Sequence, residues 1–141
     1  MMRFLLPLFI LPLLLSCVTQ EMSAKRELIA HAGGVVDGYV YTNSHEALAR
    51  AAENGYRYIE LDFLFTSDSV LVAAHSWEDF NSMTGNAGWG DSVPSLAHFK
   101  EQRIHGRYTP LTADEINAFF VEHDSIYLVT DKVSDPDVLG K

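Results

Sequence analysis

The sequence predicts an α/β protein with a parallel sheet and helices packed outside it. Apolar strand-like runs alternate with helical patterns, an order typical of parallel sheets because their crossover connections are usually helices. Neither a dinucleotide-binding glycine fingerprint nor a P-loop is present. The chain has 141 residues, which is enough for one domain with a hydrophobic core and too short for two ordinary domains.

The first elements lie on either side of a glycine-containing turn. Residues 27–30 are predicted to form a strand that stops at the sequence His31-Ala32-Gly33-Gly34. Asn43 is predicted to cap a helix, with Glu46 three residues later completing a capping box. Gly55 suits the left-handed position that ends such a helix.

Residues 58–65 give the clearest strand pattern in the chain. Because side chains alternate along a strand, one face is apolar and the other carries Glu60 and Asp62. The chain then turns and runs extended through residues 70–74 to His75, which predicts a hairpin.

The second half of the chain is less regular. Residues 76–110 are predicted to be a long irregular region, of the kind that is usually a functional loop or an insertion. Thr112 is predicted to cap a helix that runs to about Glu122, with Glu115 as its capping-box partner. Residues 125–131 are predicted to form a further strand.

The N-terminus is typical of an exported lipoprotein. The apolar run of residues 4–15 is shorter than the roughly 20 residues that a membrane-spanning helix needs, and it suits a signal-peptide core. It ends at a lipobox-like Ser-Cys pair, so we expect a signal peptide over residues 1–16, lipidation of Cys17 and a polar tether over residues 17–26. An ordinary signal peptide with an incidental cysteine is the alternative. The expected location is the cell envelope, anchored by lipid to a membrane, at the outer membrane or facing the periplasm.

The charge balance limits the possible partners. The formal net charge is −9, which argues against a nucleic-acid partner and against simple adsorption to anionic lipid. An acidic protein can still bind a phosphate ester when a divalent cation supplies the positive charge.

Glu60 and Asp62 are candidate metal ligands. Acids two apart on a strand lie on the same face, roughly 6.5–7 Å apart along the chain. In a sheet interior the repulsion between the two carboxylates and their lost hydration cost several kcal/mol unless a cation compensates. Carboxylates are hard oxygen ligands, which suit Mg²⁺ or Ca²⁺. A solvent-facing polar strand face is the alternative.

His31 and His75 are candidate acid–base residues because each directly follows a strand-like run. Residues at the carboxyl ends of the strands line the active site of parallel α/β barrels. A histidine there can act as an acid or a base near neutral pH. Taken singly, each could equally be a surface or capping histidine.

The ordered set of these motifs resembles the glycerophosphodiester phosphodiesterase family. That family opens with His-Arg-Gly and continues with Asn-Thr before a helix, Glu-x-Asp, a Thr-x-Asp-Gly hairpin and a second His-Asp. The corresponding segments here are His31–Gly33, Asn43–Leu48, Tyr58–Asp62 and Thr66–His75. The resemblance implies a (β/α)8 TIM-barrel type of fold. Residues 27–141 would supply only its first three strand-helix units, so we expect a truncated chain.

The resemblance also implies an activity. We expect metal-dependent hydrolysis of glycerophosphodiesters or related lipid-derived phosphodiesters, which are small-molecule substrates. His31 and His75 would form the acid–base pair, and Glu60 and Asp62 would bind a divalent metal, Mg²⁺ or Ca²⁺. A non-catalytic envelope lipoprotein that binds a ligand on the same barrel, and a phospholipase C-like or D-like phosphodiesterase, are the alternatives.

Three departures from the family pattern bear on the site. Ala32 replaces the arginine after the first histidine, and Ser76 replaces the acid after the second. On the last strand, aligning the family's Glu-x-Lys on Lys132 places Thr130 at the acid position. We therefore predict the neighbouring Asp131 as the third metal ligand, through a local twist or bulge, and Lys132 as a contact of the substrate phosphate.

Overall fold

The computed structural model describes residues 28–133. The predicted signal peptide, the lipidation site Cys17 and the tether lie outside the described residues. The regular elements are β1 (Ile29–Ala30), α1 (His45–Glu53), β2 (Tyr58–Phe65), β3 (Leu71–Ala73), α2 (Trp77–Met83), α3 (Leu96–Glu101), α4 (Ala113–Glu122) and β4 (Tyr127–Asp131). Within residues 28–133, none of the helices is both long and apolar enough to cross a membrane.

Strand β2 is the centre of the sheet. Strands β1 and β4 pair with it in parallel, with Ile29 opposite Tyr58 and the five residues of β4 opposite residues 58–62. Strand β3 pairs in antiparallel fashion with the other end of β2, so that Phe63 lies opposite Ala73. The predicted parallel sheet and the predicted hairpin are therefore both confirmed.

The outward face of β2 forms the main hydrophobic core. Ile59, Leu61 and Phe63 are almost fully buried, and they share a cluster with Leu48 of α1 and Ile116 of α4. Full burial of one such side chain contributes about 1.5–3 kcal/mol. Helices α1 and α4 thus cover one face of the sheet, which leaves Glu60 and Asp62 on the opposite face.

Helix α1 begins one residue later than predicted. Ser44, and not Asn43, is its N-cap. The Asn43 side chain instead bonds Asp62, and the Glu46 carboxylate accepts hydrogen bonds from Thr109 where a capping box was expected. The two predicted capping bonds are wrong because the side chains of Asn43 and Glu46 bond residues that are distant in sequence.

The end of α1 and the start of α4 follow the predictions. Gly55 has φ +78°, the left-handed conformation expected just beyond a helix. Thr112 and Glu115 form the complete capping box, and α4 runs to Glu122. The last strand begins at Tyr127, two residues later than predicted.

The segment between β3 and α4 is not the irregular region that the sequence suggested. It contains α2 and α3, capped by the hydroxyls of Ser76 and Ser95. Phe80 and Phe99 stack with ring centroids 4.7 Å apart, and Trp77 meets both rings edge-on. The two phenylalanines belong to a second hydrophobic cluster, which also includes Val72 of β3 and Ala47 of α1.

Candidate active site

Three carboxylates converge where β2 and β4 run side by side. One oxygen each of Glu60, Asp62 and Asp131 lies within 4.8 Å of the other two. The parallel register places Asp131 directly opposite Asp62, so both side chains leave the sheet on the same face. The pairing of β2 with β4 is continuous through Asp131, so there is no bulge there, and the local change in backbone direction lies at Lys132, which has φ 66°.

Like Asp62, Glu60 is buried, with 8% of its surface exposed. Its Oε2 accepts the Ala32 amide N–H at 2.7 Å and lies 3.6 Å from Nε2 of His31. Burial, with repulsion from Asp62 and Asp131, raises the pKa of Glu60 above its ordinary 4.5, although the Ala32 amide and His31 oppose the rise.

A left-handed turn aims the Ala32 amide at Glu60. Ala32 itself has φ 50° and is completely buried. Gly33 follows with φ +79°, where an added Cβ would come within 3.4 Å of the Ala47 side chain. The turn at the end of β1 therefore provides a backbone N–H donor to Glu60 at Ala32, the position at which the phosphodiesterase family named above has arginine.

Asn43 holds Asp62 in place from two sides. Its Nδ2 donates to Asp62 Oδ2 at 3.1 Å, and its Oδ1 accepts the Asp62 amide N–H at 3.1 Å. Both residues are essentially inaccessible to solvent. Sequence reasoning assigned Asn43 to a helix cap, although the adjacent Ser44 offered an equally good cap and could have signalled that the asparagine was free for another role.

Lys132 joins three strands at the edge of the site. Its backbone is left-handed (φ 66°) and its N–H donates to Asp131 Oδ1. Its Nζ lies 3.3 Å from Asp62 Oδ1 and donates to the carbonyl of His75. The left-handed residue turns the lysine back toward the acids, which ordinary strand alternation would not do.

His75 directly follows Ala74 after β3 and is bound to a carboxylate that sequence reasoning missed. Its Nδ1 lies 2.7 Å from Asp79 Oδ2, and Ser76 Oγ donates to the same oxygen at 2.6 Å. Hydrogen bonds from Ser76 and His75 lower the pKa of Asp79. The available signal was the Ser-x-x-Asp capping pattern at the start of α2.

The ring of Tyr41 lies between the two histidines. Its centroid is 5.2 Å from that of His31 and 4.9 Å from that of His75. Tyr41 is also left-handed, with φ 59°, a strained conformation that tends to occur at functional sites. Together with His75 it lines a cavity of about 540 Å³, and together with His31 it lines a second cavity of about 300 Å³. Each of the two histidines therefore borders accessible space.

The acidic group fits a divalent cation. Among residues 28–133, Glu60 Oε1 is a buried oxygen with no hydrogen-bond partner, and such an oxygen costs free energy unless it is bound by another group. Three neighbouring carboxylates supply the hard oxygen ligands that Mg²⁺ and Ca²⁺ prefer. All six residues predicted for the site lie on β2 and β4 or shortly after β1, β3 and β4 (His31, Glu60, Asp62, His75, Asp131 and Lys132).

Comparison with known proteins gives a consistent assignment. The model of the glycerophosphoryl diester phosphodiesterase family matches residues 32–133. No curated protein sequence matches the chain significantly.

Solved structures share the fold. A proposed glycerophosphodiester phosphodiesterase from Galdieria sulphuraria has a TM-score of 0.61 at 18% identity, over 76% of this chain and 43% of its own. An Oleispira antarctica phosphodiesterase in complex with the product sn-glycerol-3-phosphate gives 0.57 at 23%, over 72% and 42%. A glycerophosphoryl diester phosphodiesterase from Parabacteroides distasonis gives 0.55 at 22%, over 79% and 40%.

The chain spans less than half the length of these solved relatives. Their fold is the TIM barrel, and the parallel strands β1, β2 and β4 with their helices form part of such a barrel. The predicted fold class is therefore confirmed.

Proposed function

The chain belongs to the glycerophosphoryl diester phosphodiesterase family, and we propose that it carries the metal-binding and acid–base residues of a phosphodiesterase. The proposed reaction is the hydrolysis of glycerophosphodiesters or related lipid-derived phosphodiesters. The observation that carries this proposal is the convergence of Glu60, Asp62 and Asp131 beside His31. The sn-glycerol-3-phosphate in the Oleispira antarctica structure belongs to the same class of small phosphate esters.

In this proposal Glu60, Asp62 and Asp131 hold a divalent cation, Mg²⁺ or Ca²⁺. When bound, the cation neutralises the phosphodiester and polarises its phosphorus–oxygen bonds. Neighbouring groups of the chain hold two of these carboxylates in position. Asn43 fixes Asp62 through two hydrogen bonds, and the Ala32 amide fixes one oxygen of Glu60.

His31 and His75 are proposed to move the protons of the reaction. One histidine takes a proton from the attacking water as a new phosphorus–oxygen bond forms, and the other gives a proton to the departing alcohol as the old bond breaks. His31 is 61% exposed at its side chain, and its Nε2 lies 3.6 Å from Oε2 of Glu60. Lys132 provides a fixed positive charge beside Asp62 for the phosphate.

The intact protein can be tested with a glycerophosphodiester as substrate, in the presence and absence of Mg²⁺ or Ca²⁺. We expect turnover that requires the cation, and a loss of at least about 100-fold in Glu60→Ala, since even outer partners of metal ligands are worth about 10–100-fold. Glu78→Ala is the matched control because Glu78 is an exposed acid on α2. Turnover without cation, or full activity in Glu60→Ala, would refute the proposed site.

A ligand-binding role without catalysis is the second candidate. It is favoured by Ala32, whose buried methyl group offers no charge to a phosphate at this position. Calorimetry with sn-glycerol-3-phosphate and Mg²⁺ distinguishes the two roles. Binding of this ester, together with no hydrolysis of any phosphodiester, would favour the binding role, and a cyclic phosphate product would indicate phospholipase C-type chemistry.

We further propose that the protein acts at the cell envelope, anchored to a membrane through lipid on Cys17. The motivation is the lipobox-like sequence that ends the apolar run. In cells that express the full chain, we expect the protein in the membrane fraction and Cys17→Ser in the soluble fraction. Equal distribution of the two proteins would remove this part of the proposal.

A further inference from the structure

His75 and Asp79 form a hydrogen-bonded pair at the edge of the cavity that Tyr41 also lines. The ring Nδ1 and the carboxylate Oδ2 are 2.7 Å apart, at 36% and 50% side-chain exposure. Both residues border the cavity of about 540 Å³. The contact is therefore part of the proposed site and not of the hydrophobic core.

The direction of this hydrogen bond follows from its partner. An ionised carboxylate can only accept, so the proton in the bond belongs to Nδ1 of His75. With Nδ1 protonated, the neutral ring presents Nε2 as its free, proton-accepting nitrogen.

The Asp79 carboxylate is itself held in position. Ser76 Oγ accepts the Asp79 amide N–H at 3.0 Å as the cap of α2, and it donates its own proton to Asp79 Oδ2 at 2.6 Å. The same oxygen thus accepts from both Ser76 and His75. From the backbone side, Lys132 Nζ donates to the His75 carbonyl. His75 is consequently fixed at its ring and at its main chain.

We propose that Asp79 is the positioning residue of His75, which sets the ring orientation and holds the tautomer with the proton on Nδ1. This inference rests on the proposed function for its catalytic consequence, but the contact can be tested without it. A carboxylate three residues after a capping serine reaches back over the first turn of α2, and it here meets the histidine that directly precedes that serine.

The test is the tautomer of His75 in the full chain, read from the ¹⁵N shifts of its ring by NMR without added metal. We expect the Nδ1–H form to predominate in the wild type. We expect the Nε2–H form, which a free histidine side chain prefers in water, to predominate in Asp79→Ala. Glu78→Ala is the matched control, since it removes an exposed acid from the same helical turn. An unchanged tautomer in Asp79→Ala, or an equal change in Glu78→Ala, would overturn the inference.

Kinetics provide the second readout. We expect kcat to fall about tenfold to a hundredfold in Asp79→Ala with KM nearly constant, because a misoriented acid–base group affects the chemical step. Asp79→Glu retains a carboxylate and should recover part of the rate and of the Nδ1–H population; it also serves if Asp79→Ala fails to fold. A fall in Asp79→Ala that appears only in KM would contradict a positioning role. If the wild type hydrolyses nothing, the proposed function fails, while the tautomer comparison still decides the contact.

Discussion

Two hydrophobic clusters differ in what holds them together. The first lies between the sheet and helices α1 and α4, and the second joins the segment between β3 and α4 to Val72 of β3 and Ala47 of α1. In the sheet, backbone pairing fixes the residues, and apolar side chains of β2 alternate with Glu60 and Asp62. In the segment, aromatic rings stack and the buried Asn81 side chain donates to the carbonyls of Gly90 and Ser92.

This difference separates two parts of the proposed function. The proposed metal ligands come from the sheet, where the strand register fixes their relative positions. His75 lies at the junction, with its main chain bonded to the sheet edge through Lys132 and its ring bonded to Asp79 of the segment. The sheet thus supplies the proposed ligands, and the segment supplies the partner of one histidine and part of the cavity wall.

Truncation of a core phenylalanine should have the largest effect on stability. Phe63→Ala in the sheet and Phe99→Ala in the segment each remove a fully buried ring, at a cost of about 3–5 kcal/mol. We expect Phe63→Ala to unfold the whole chain. Phe99→Ala should raise amide hydrogen exchange first in α2 and α3 while β2 and β4 stay protected. Simultaneous loss of protection throughout Phe99→Ala would show that the two clusters form one cooperative unit.

Asn43→Ala should have an intermediate effect, confined to the sheet. It leaves the buried Asp62 amide and one carboxylate oxygen without their partner, which costs about 1–3 kcal/mol. Thermal unfolding measures this loss, and calorimetry with Mg²⁺ or Ca²⁺ should show weaker binding as well. Asn54→Ala, at the exposed end of α1, is the control. Unchanged cation affinity in Asn43→Ala would mean that Asp62 needs no support from Asn43.

The helix caps should give the smallest losses. Thr112→Ala removes one half of the capping box of α4 and should cost about 1 kcal/mol, measured by chemical denaturation. Ser95→Ala removes the single cap bond of the shorter α3 and should cost less, because the segment around it is fixed mainly by aromatic packing. A larger loss in Ser95→Ala would reverse this ranking of the two regions.

The pH dependence of stability should show the cost of ionising the buried Glu60 carboxylate when no cation is bound. Burial raises the pKa of Glu60 above 4.5 in the folded state. As the pH rises from 4.5 through this raised pKa, ionisation of Glu60 therefore lowers the free energy of unfolding. Below pH 4.5 Glu60 is protonated in the folded and the unfolded state alike, so this loss of stability is absent. We therefore expect Glu60→Gln without metal to melt higher than the wild type near pH 7 and equally at acidic pH. Added Mg²⁺ or Ca²⁺ should stabilise the wild type but not Glu60→Gln. Glu78→Gln leaves the three carboxylates intact and should behave like the wild type in both respects. A lower melting temperature of Glu60→Gln than of the wild type at pH 7 would contradict the assigned cost of the buried Glu60 carboxylate.

Most of the sheet could be predicted from local patterns, since β2 alternates and α4 carries a capping box. The segment could not, because α2 and α3 have seven and six residues, which is too short to show a helical period. At the site, motifs identified the histidines and acids. Asn43 and Tyr41 were missed because their roles depend on partners far away in sequence, and Asp79 because its helix was not predicted.

The register of β4 has a consequence for folding. Asp131 meets Asp62 only when the five residues of β4 lie opposite residues 58–62 as they do here. A slip by one position would turn Asp131 to the outer, apolar face and leave two carboxylates where three now converge. A cation that needs all three ligands would therefore stabilise one strand alignment over its neighbours. The acidic cluster would therefore help to select the correct register of β4 during folding, before any substrate is bound.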